Sequence, residues 1–132
     1  HVVNGAFSGD AERMDSNMRR LIEEGTPIHV LLTAALNHAV QLLAARLETE
    51  SGKSPEAVLS SWKPQLFFKR KDAVRLQLGR WNTRALKQVI RLLDETLLES
   101  RRRGTLADTV ASRALLQIAA MNRSTGRSGV RP

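Results

Sequence analysis

The sequence predicts an all-α fold, a compact bundle of about five to six helices, on three observations. Apolar residues recur every three or four positions along most of the chain, and no segment alternates with a period of two. Three helix-start signals divide the chain, at Thr26-Pro27, Ser54-Pro55 and Trp81-Asn82. Glycines follow the ends of several apolar stretches, where left-handed C-terminal caps are usual. A chain of 132 residues is long enough to form one domain with one core.

The first predicted helix begins after Asp10, whose side chain is suited to cap it, and ends before Gly25. The second is predicted to begin at Thr26-Pro27 and to end at Gly52. Its apolar residues cover a broad arc of the helix, which predicts a place at the centre of the bundle. These residues are Ile28, Leu31, Leu32, Ala35, Leu36, Ala39, Leu42, Leu43 and Leu47.

The third predicted helix starts at Ser54-Pro55 and is short, because Lys63-Pro64 interrupts it. A helix from about Lys69 to Arg80 follows. This region therefore contributes short elements beside the long second helix.

The next helix is capped by Asn82, with Trp81 packing back as an anchor, and ends at 101–103 before Gly104. The last predicted helix runs from about Leu106 to Ala120. Short connections make neighbouring helices antiparallel, which favours a compact bundle.

The predicted domain organisation has three parts. Residues 1–9 are interpreted as the remnant of a linker from an upstream domain, 10–120 as the helical domain, and 121–132 as a disordered basic tail. The net charge is +8, and the tail arginines contribute three of these charges. The remaining +5 favours contact with an anionic surface. The chain has no cysteine, no uninterrupted apolar run near the roughly 20 residues that cross a bilayer, and no signal-peptide pattern, so we expect a cytoplasmic location.

No pattern for catalysis or metal binding is present in the sequence. Gly52-Lys53-Ser54 resembles the end of a phosphate-binding loop, but the earlier glycine and the preceding strand are missing. His29 and His38 are nine residues apart, whereas two ligands on one helical face need a spacing of three or four. The carboxylates lie on polar faces near arginines. We therefore expect no catalytic site, no cofactor and no metal, and a small helical enzyme is the weakest hypothesis.

Two basic clusters are candidates for contact with DNA phosphates: Lys69, Arg70 and Lys71, with Arg75 nearby, and Arg101, Arg102 and Arg103. The alternative for each is a solvated helix surface. The chain has two Trp, three Phe and no Tyr, which disfavours a stacking platform for single strands. Trp62, Trp81, Phe67 and Phe68 are more readily interpreted as core or interface anchors.

Three local patterns in the second half of the chain occur together in one known family. They are the run 64–70, Trp81 followed by Leu-Leu-Asp-Glu-x-x-Leu ending at Leu98, and the run 113–119. In their order and spacing, residues 8–120 resemble the C-terminal domain of the delta subunit of the bacterial DNA polymerase III clamp loader. None of the patterns is diagnostic alone.

The resemblance implies a clamp-loader collar domain. Such a domain associates side by side with the corresponding domains of the gamma/tau and delta-prime subunits, and supports loading of the beta sliding clamp onto primed DNA. The beta clamp would be gripped by a missing N-terminal domain. The parent would be a non-catalytic subunit of a nucleotidyltransferase complex in the replisome. The alternative function is a helical nucleic-acid-binding module that acts through the basic clusters.

An assembly domain needs apolar surface beyond what its own core covers. The helix that starts at Asn82 has apolar residues on more than one face, so one face can serve the core and a second a partner. The predicted interface residues are Val89, Leu92 and Leu98 on this helix and Leu106 and Val110 near the last helix. The alternative is that all of them belong to the core.

Overall fold

A computed structural model describes the backbone of residues 2–62, 68–103 and 107–130. These ranges form seven helices and no strand, which confirms the all-α prediction. The helices are α1 (Val2–Phe7), α2 (Ala11–Glu23), α3 (Ile28–Glu50), α4 (Pro55–Ser60), α5 (Phe68–Arg80), α6 (Thr83–Arg103) and α7 (Ala107–Val130). The helix that the sequence did not predict is α1.

Side-chain caps start three of the helices where the sequence predicted them. The backbone N–H of Arg13 donates to Asp10 Oδ1 (3.1 Å), and that of Ala57 donates to Ser54 Oγ (3.2 Å). At the start of α6, Ala85 N–H donates to Asn82 Oδ1 (2.7 Å). Each cap satisfies a backbone donor that the first helical turn leaves without a partner.

The two ends of α3 differ in how well the sequence predicted them. Gly52 follows its C-terminus with φ of +110°, a conformation that favours glycine, as predicted. At the N-terminus, Pro27 itself is the N-cap, with extended φ and ψ, and no side chain caps the helix. The predicted start at Thr26-Pro27, which makes Thr26 the cap and Pro27 the first helical residue, was therefore wrong by one residue, because Pro27 lies before the first turn.

The long helix α3 lies at the centre and packs against α1, α4, α5, α6 and α7. Its closest neighbour is α6, and the two are antiparallel. Thr83 Oγ1, at the start of α6, donates to Glu50 Oε1 at the end of α3 (3.1 Å). By length and composition alone α3 could also cross a membrane, but the central helix of a bundle has the same composition.

Residues 2–7 form a core helix, which corrects the prediction of a linker remnant. Val3, Ala6 and Phe7 are buried. The Phe7 carbonyl accepts two buried hydrogen bonds, from Trp81 Nε1 (2.9 Å) and Asn122 Nδ2 (2.7 Å). One backbone oxygen therefore joins the N-terminal helix to the start of α6 and to α7.

The aromatic residues Trp62 and Trp81 are core anchors, as predicted. Trp81 is fully buried, and its ring lies 5.7 Å from the Phe7 ring. Trp62 packs edge-on against the imidazole of His38, at a centroid distance of 5.5 Å. Phe67 and the side chain of Phe68 lie outside the described residues.

The last helix is longer than predicted. It begins at Ala107 and continues to Val130, past the predicted end at Ala120. Asn122 is buried through its bond to Phe7, so the fold does not end where the prediction placed a disordered tail. The structure thus places residues 121–130 in α7, where the prediction placed a disordered tail.

Truncating Phe7 to Ala is expected to lower the free energy of unfolding by about 3–5 kcal/mol, because it leaves a cavity beside Trp81 and His38. Urea unfolding followed by circular dichroism measures the change. Phe7→Leu provides a milder variant if Phe7→Ala does not fold. The control is Leu76→Ala, since Leu76 is 69% exposed and its change should stay within about 0.5 kcal/mol. Equal stability of Phe7→Ala and wild type would show that α1 is not part of the core.

Candidate functional site

One side of α3 is open to solvent and carries no charge. We call this surface the α3 face, and all of its residues are exposed: Val30, Thr33, Ala34, Asn37, Val40, Ala44 and Leu47. Val30, Val40 and Leu47 are 46%, 48% and 50% exposed. At roughly 1.5 Å per residue the face is about 26 Å long. Solvent-facing helix surfaces ordinarily carry charged side chains, so this face is unusual.

The sequence explains why this face exists. Residues 30–45 contain no Asp, Glu, Lys or Arg, so no rotation of the helix could expose a charged surface there. The side that faces the core contains Leu32, Ala35, Ala39 and Leu42, all fully buried. The predicted place of this helix at the centre of the bundle agrees with its packing against five other helices. The bundle nevertheless leaves Val30, Val40 and Leu47 about half exposed.

Half-buried leucine and isoleucine side chains are present on both α3 and α6. Leu36 and Leu43 on α3 and Ile90 and Leu97 on α6 are partly buried and pack against the core. Both helices therefore present apolar side chains that the core covers only in part. An apolar centre with polar surroundings is the usual composition of a protein interface.

The predicted interface residues do not form one surface. Val89 is fully buried in the core, so that prediction was wrong; α6 packs against both α3 and α7. Leu92 and Val110 are half-buried and line a groove of about 350 Å³ between α6 and α7. Leu98 is 51% exposed on the solvent side of α6. Leu106 lies outside the described residues.

In the first predicted basic cluster, the side chains that the structure describes are half-buried, and the neighbouring Arg75 is ion-paired. Arg70 and Lys71 are half-buried, and the side chain of Lys69 lies outside the described part of the chain. Arg75 is paired with Glu56 on α4 at 2.6 Å and with Asp72 at 3.0 Å. The pair with Glu56 links α4 to α5, and both pairs mean that Arg75 is not a free cation.

In the second predicted basic cluster, Arg101 is exposed near the end of α6. The side chains of Arg102 and Arg103 lie outside the described residues, although their backbone completes α6. Contact of this cluster with DNA stays a prediction.

A different basic surface, which the sequence analysis missed, lies on the first half of α6. We call Arg84, Lys87 and Arg91 the α6 basic stripe; all three are exposed. They border, with Thr83 and Gln88, a shallow depression of about 500 Å³. Their spacing of three and four was readable from the sequence and places them on one helical face. The sequence analysis named only the uninterrupted basic runs at 69–71 and 101–103.

The two histidines of α3 have different surroundings and no shared site. His29 is exposed, whereas His38 is buried and its Nε2–H donates to Gln77 Oε1 at 2.6 Å. Gln77 in turn donates from Nε2 to Ser8 Oγ (2.9 Å), so the chain of hydrogen bonds links α3, α5 and the end of α1. No cluster of three or more His, Asp and Glu side chains occurs in the described ranges.

Burial lowers the pKa of His38 from 6.5 to about 4. The hydrogen bond to Gln77 raises the pKa and the positive charge of Arg70 lowers it, but both effects are smaller than burial. The neutral imidazole is therefore the form that the core accommodates. Its position between Phe7 and Trp62 makes it a structural group of the core.

Comparison with protein-family models, curated proteins and solved structures found no match to this chain. The resemblance to clamp-loader delta subunits therefore rests on the sequence patterns alone.

The stability of the fold is expected to fall as the pH is lowered from about 6.5 to 4. In this window the unfolded chain protonates His38 while the folded chain keeps it neutral, so the unfolded state binds more protons. A shift of this size corresponds to about 3 kcal/mol at pH 4. Urea unfolding at pH 7, 5.5 and 4 should show this loss in wild type and a smaller one in His38→Gln. His29→Gln, on the exposed side of α3, is the control and should follow wild type. Identical pH dependence of all three proteins would contradict the assignment.

Proposed function

We propose that this chain is a non-catalytic assembly domain whose α3 face binds a helix of a neighbouring subunit. The observation that carries the proposal is the exposed, uncharged face between Val30 and Leu47. Apolar surface costs about 25 cal/mol per Å² while it stays in water, so covering this face by another protein is favourable. The face needs no rearrangement of the bundle to become available.

The spacing of the α3 face favours a helix as its occupant. Val30, Thr33, Asn37, Val40, Ala44 and Leu47 are separated by three and four residues in alternation. This is the repeat by which side chains of one helix fit between those of another. The small residues Ala34 and Ala44 permit close approach of the two backbones, and Asn37 is a single polar group that can fix the register.

The sequence resemblance suggests which assembly this is. In the proposal, the chain is the collar domain of a clamp-loader delta subunit and its neighbours are the collar domains of gamma/tau and delta-prime. The domain would hold delta in place while the beta clamp is loaded onto primed DNA in the bacterial cytoplasm. No residue of this chain is assigned a catalytic role, because in the described part of the chain neither histidine of α3 belongs to an acid–base or nucleophile arrangement.

Replacing Val40 by Glu is expected to weaken association at least about tenfold, because a carboxylate would be buried against an apolar partner. The measurement is light scattering after size exclusion, with this chain mixed with the gamma/tau and delta-prime collar domains. Val40 is half exposed, so the variant should remain folded, as checked by circular dichroism.

The matched control is Leu76→Glu, which places the same charge at an exposed leucine of α5, outside the α3 face. It should associate like wild type. A mixture that stays monomeric at high micromolar concentration would contradict the assembly role. Association of this chain only with a second copy of itself would overturn the proposed partners, and equal loss in both variants would overturn the proposed face.

A further inference from the structure

The α6 basic stripe has a charge imbalance that its own fold does not compensate. Between Thr83 and Leu93 there are three basic residues and no acidic residue. Within the described residues, none of Arg84, Lys87 and Arg91 forms an ion pair. By contrast, α2 carries three arginines together with Glu12, Asp15 and Glu23. The stripe therefore carries an uncompensated positive charge, whereas the positive and negative charges of α2 are equal in number.

The acidic groups near the stripe lie at its two ends. Glu50, at the N-terminal end, is already engaged by Thr83 and by Arg46 at 3.4 Å. Asp94 and Glu95 are exposed and follow the stripe, one turn beyond Arg91. The positive potential is thus concentrated over the first two turns of α6, where Arg80 at the end of α5 adds a further exposed cation.

We propose that the α6 basic stripe binds the phosphate backbone of double-stranded nucleic acid. From Arg84 to Arg91 the helix rises about 10 Å, at roughly 1.5 Å per residue. A duplex presents about one negative charge per 1.7 Å of its axis, so the three cations can meet several phosphates at once. Gln88 and Thr83, which border the same depression, supply neutral donors to phosphate oxygens.

The aromatic residues favour a duplex over a single strand. Proteins that hold single strands stack bases on exposed aromatic rings. Phe7, Trp62 and Trp81, the aromatic side chains that the structure describes, are all buried in the core. Binding through phosphates alone also implies that no base sequence is read. This inference does not depend on the assembly role, since the α3 face and the α6 basic stripe are built from different residues.

The test measures binding of the whole chain to a fluorescent 20-base-pair DNA duplex by anisotropy, over a range of salt concentrations. The triple variant Arg84→Gln, Lys87→Gln, Arg91→Gln is expected to bind at least about tenfold more weakly than wild type at low salt. Its plot of log affinity against log salt should be shallower by about 2 to 3, because each lost phosphate contact removes about 0.9 from the slope.

The matched control removes three exposed arginines from α2, as Arg13→Gln, Arg19→Gln, Arg20→Gln. The two triple variants have the same net charge, so a purely non-specific effect would weaken both equally and would overturn the proposal. A third triple, at Arg101, Arg102 and Arg103, tests the cluster predicted from the sequence. Loss of binding there, with the stripe variant unchanged, would also overturn it. So would tighter binding to a single strand of the same length.

Discussion

The fold depends on covering α3, a helix that has no charged side chain from residue 30 to residue 45 and is apolar over a broad arc. A helix of this kind is stable in water only when other elements surround it, and here α1, α4, α5, α6 and α7 do so. Two of these five neighbours, α1 and α4, have only six residues each, and one side of α3 stays open to solvent. The α3 face is thus a geometric consequence: the bundle has too few long helices to enclose its central one. A partner helix would complete the enclosure.

Local sequence rules predicted the parts of the fold that local interactions determine. Asp10, Ser54 and Asn82 bond to a backbone N–H three residues later, and Gly52 needs only its own φ. Helix α1 has no such local signal. It is held by Trp81 and Asn122, which lie 74 and 115 residues away from Phe7 along the chain. No periodicity within residues 1–9 encodes those contacts, and for the same reason the buried role of Asn122 in α7 could not be anticipated.

For the candidate surfaces too, the local sequence predicts which residue types are present, but packing against other helices decides which of them are exposed. The sequence shows that α6 has apolar residues on more than one face. Which of these faces is buried depends on packing against α3 and α7, and Val89 is fully buried. Likewise, a run of basic residues indicates charge but not whether the charge is free. Arg75 is paired with Glu56 on another helix, whereas Lys87 has no acidic neighbour within its own turn. The spacing of the α6 basic stripe was visible in the sequence; only the ion-pair arrangement made it the stronger candidate.

The α3 face and the α6 basic stripe lie on antiparallel neighbours but differ in the physics of what they can bind. The α3 face has no charge, so its association depends on burial of apolar area and is nearly independent of salt. The stripe acts through phosphates and counterion release, which makes it steeply dependent on salt. Raising the ionic strength should therefore remove nucleic acid while leaving a protein partner bound. Because the α3 face has no charged residue, a protein partner can cover it without burying an unpaired charge. If both proposed roles hold, the ionic strength controls the binding of nucleic acid separately from the binding of a protein partner.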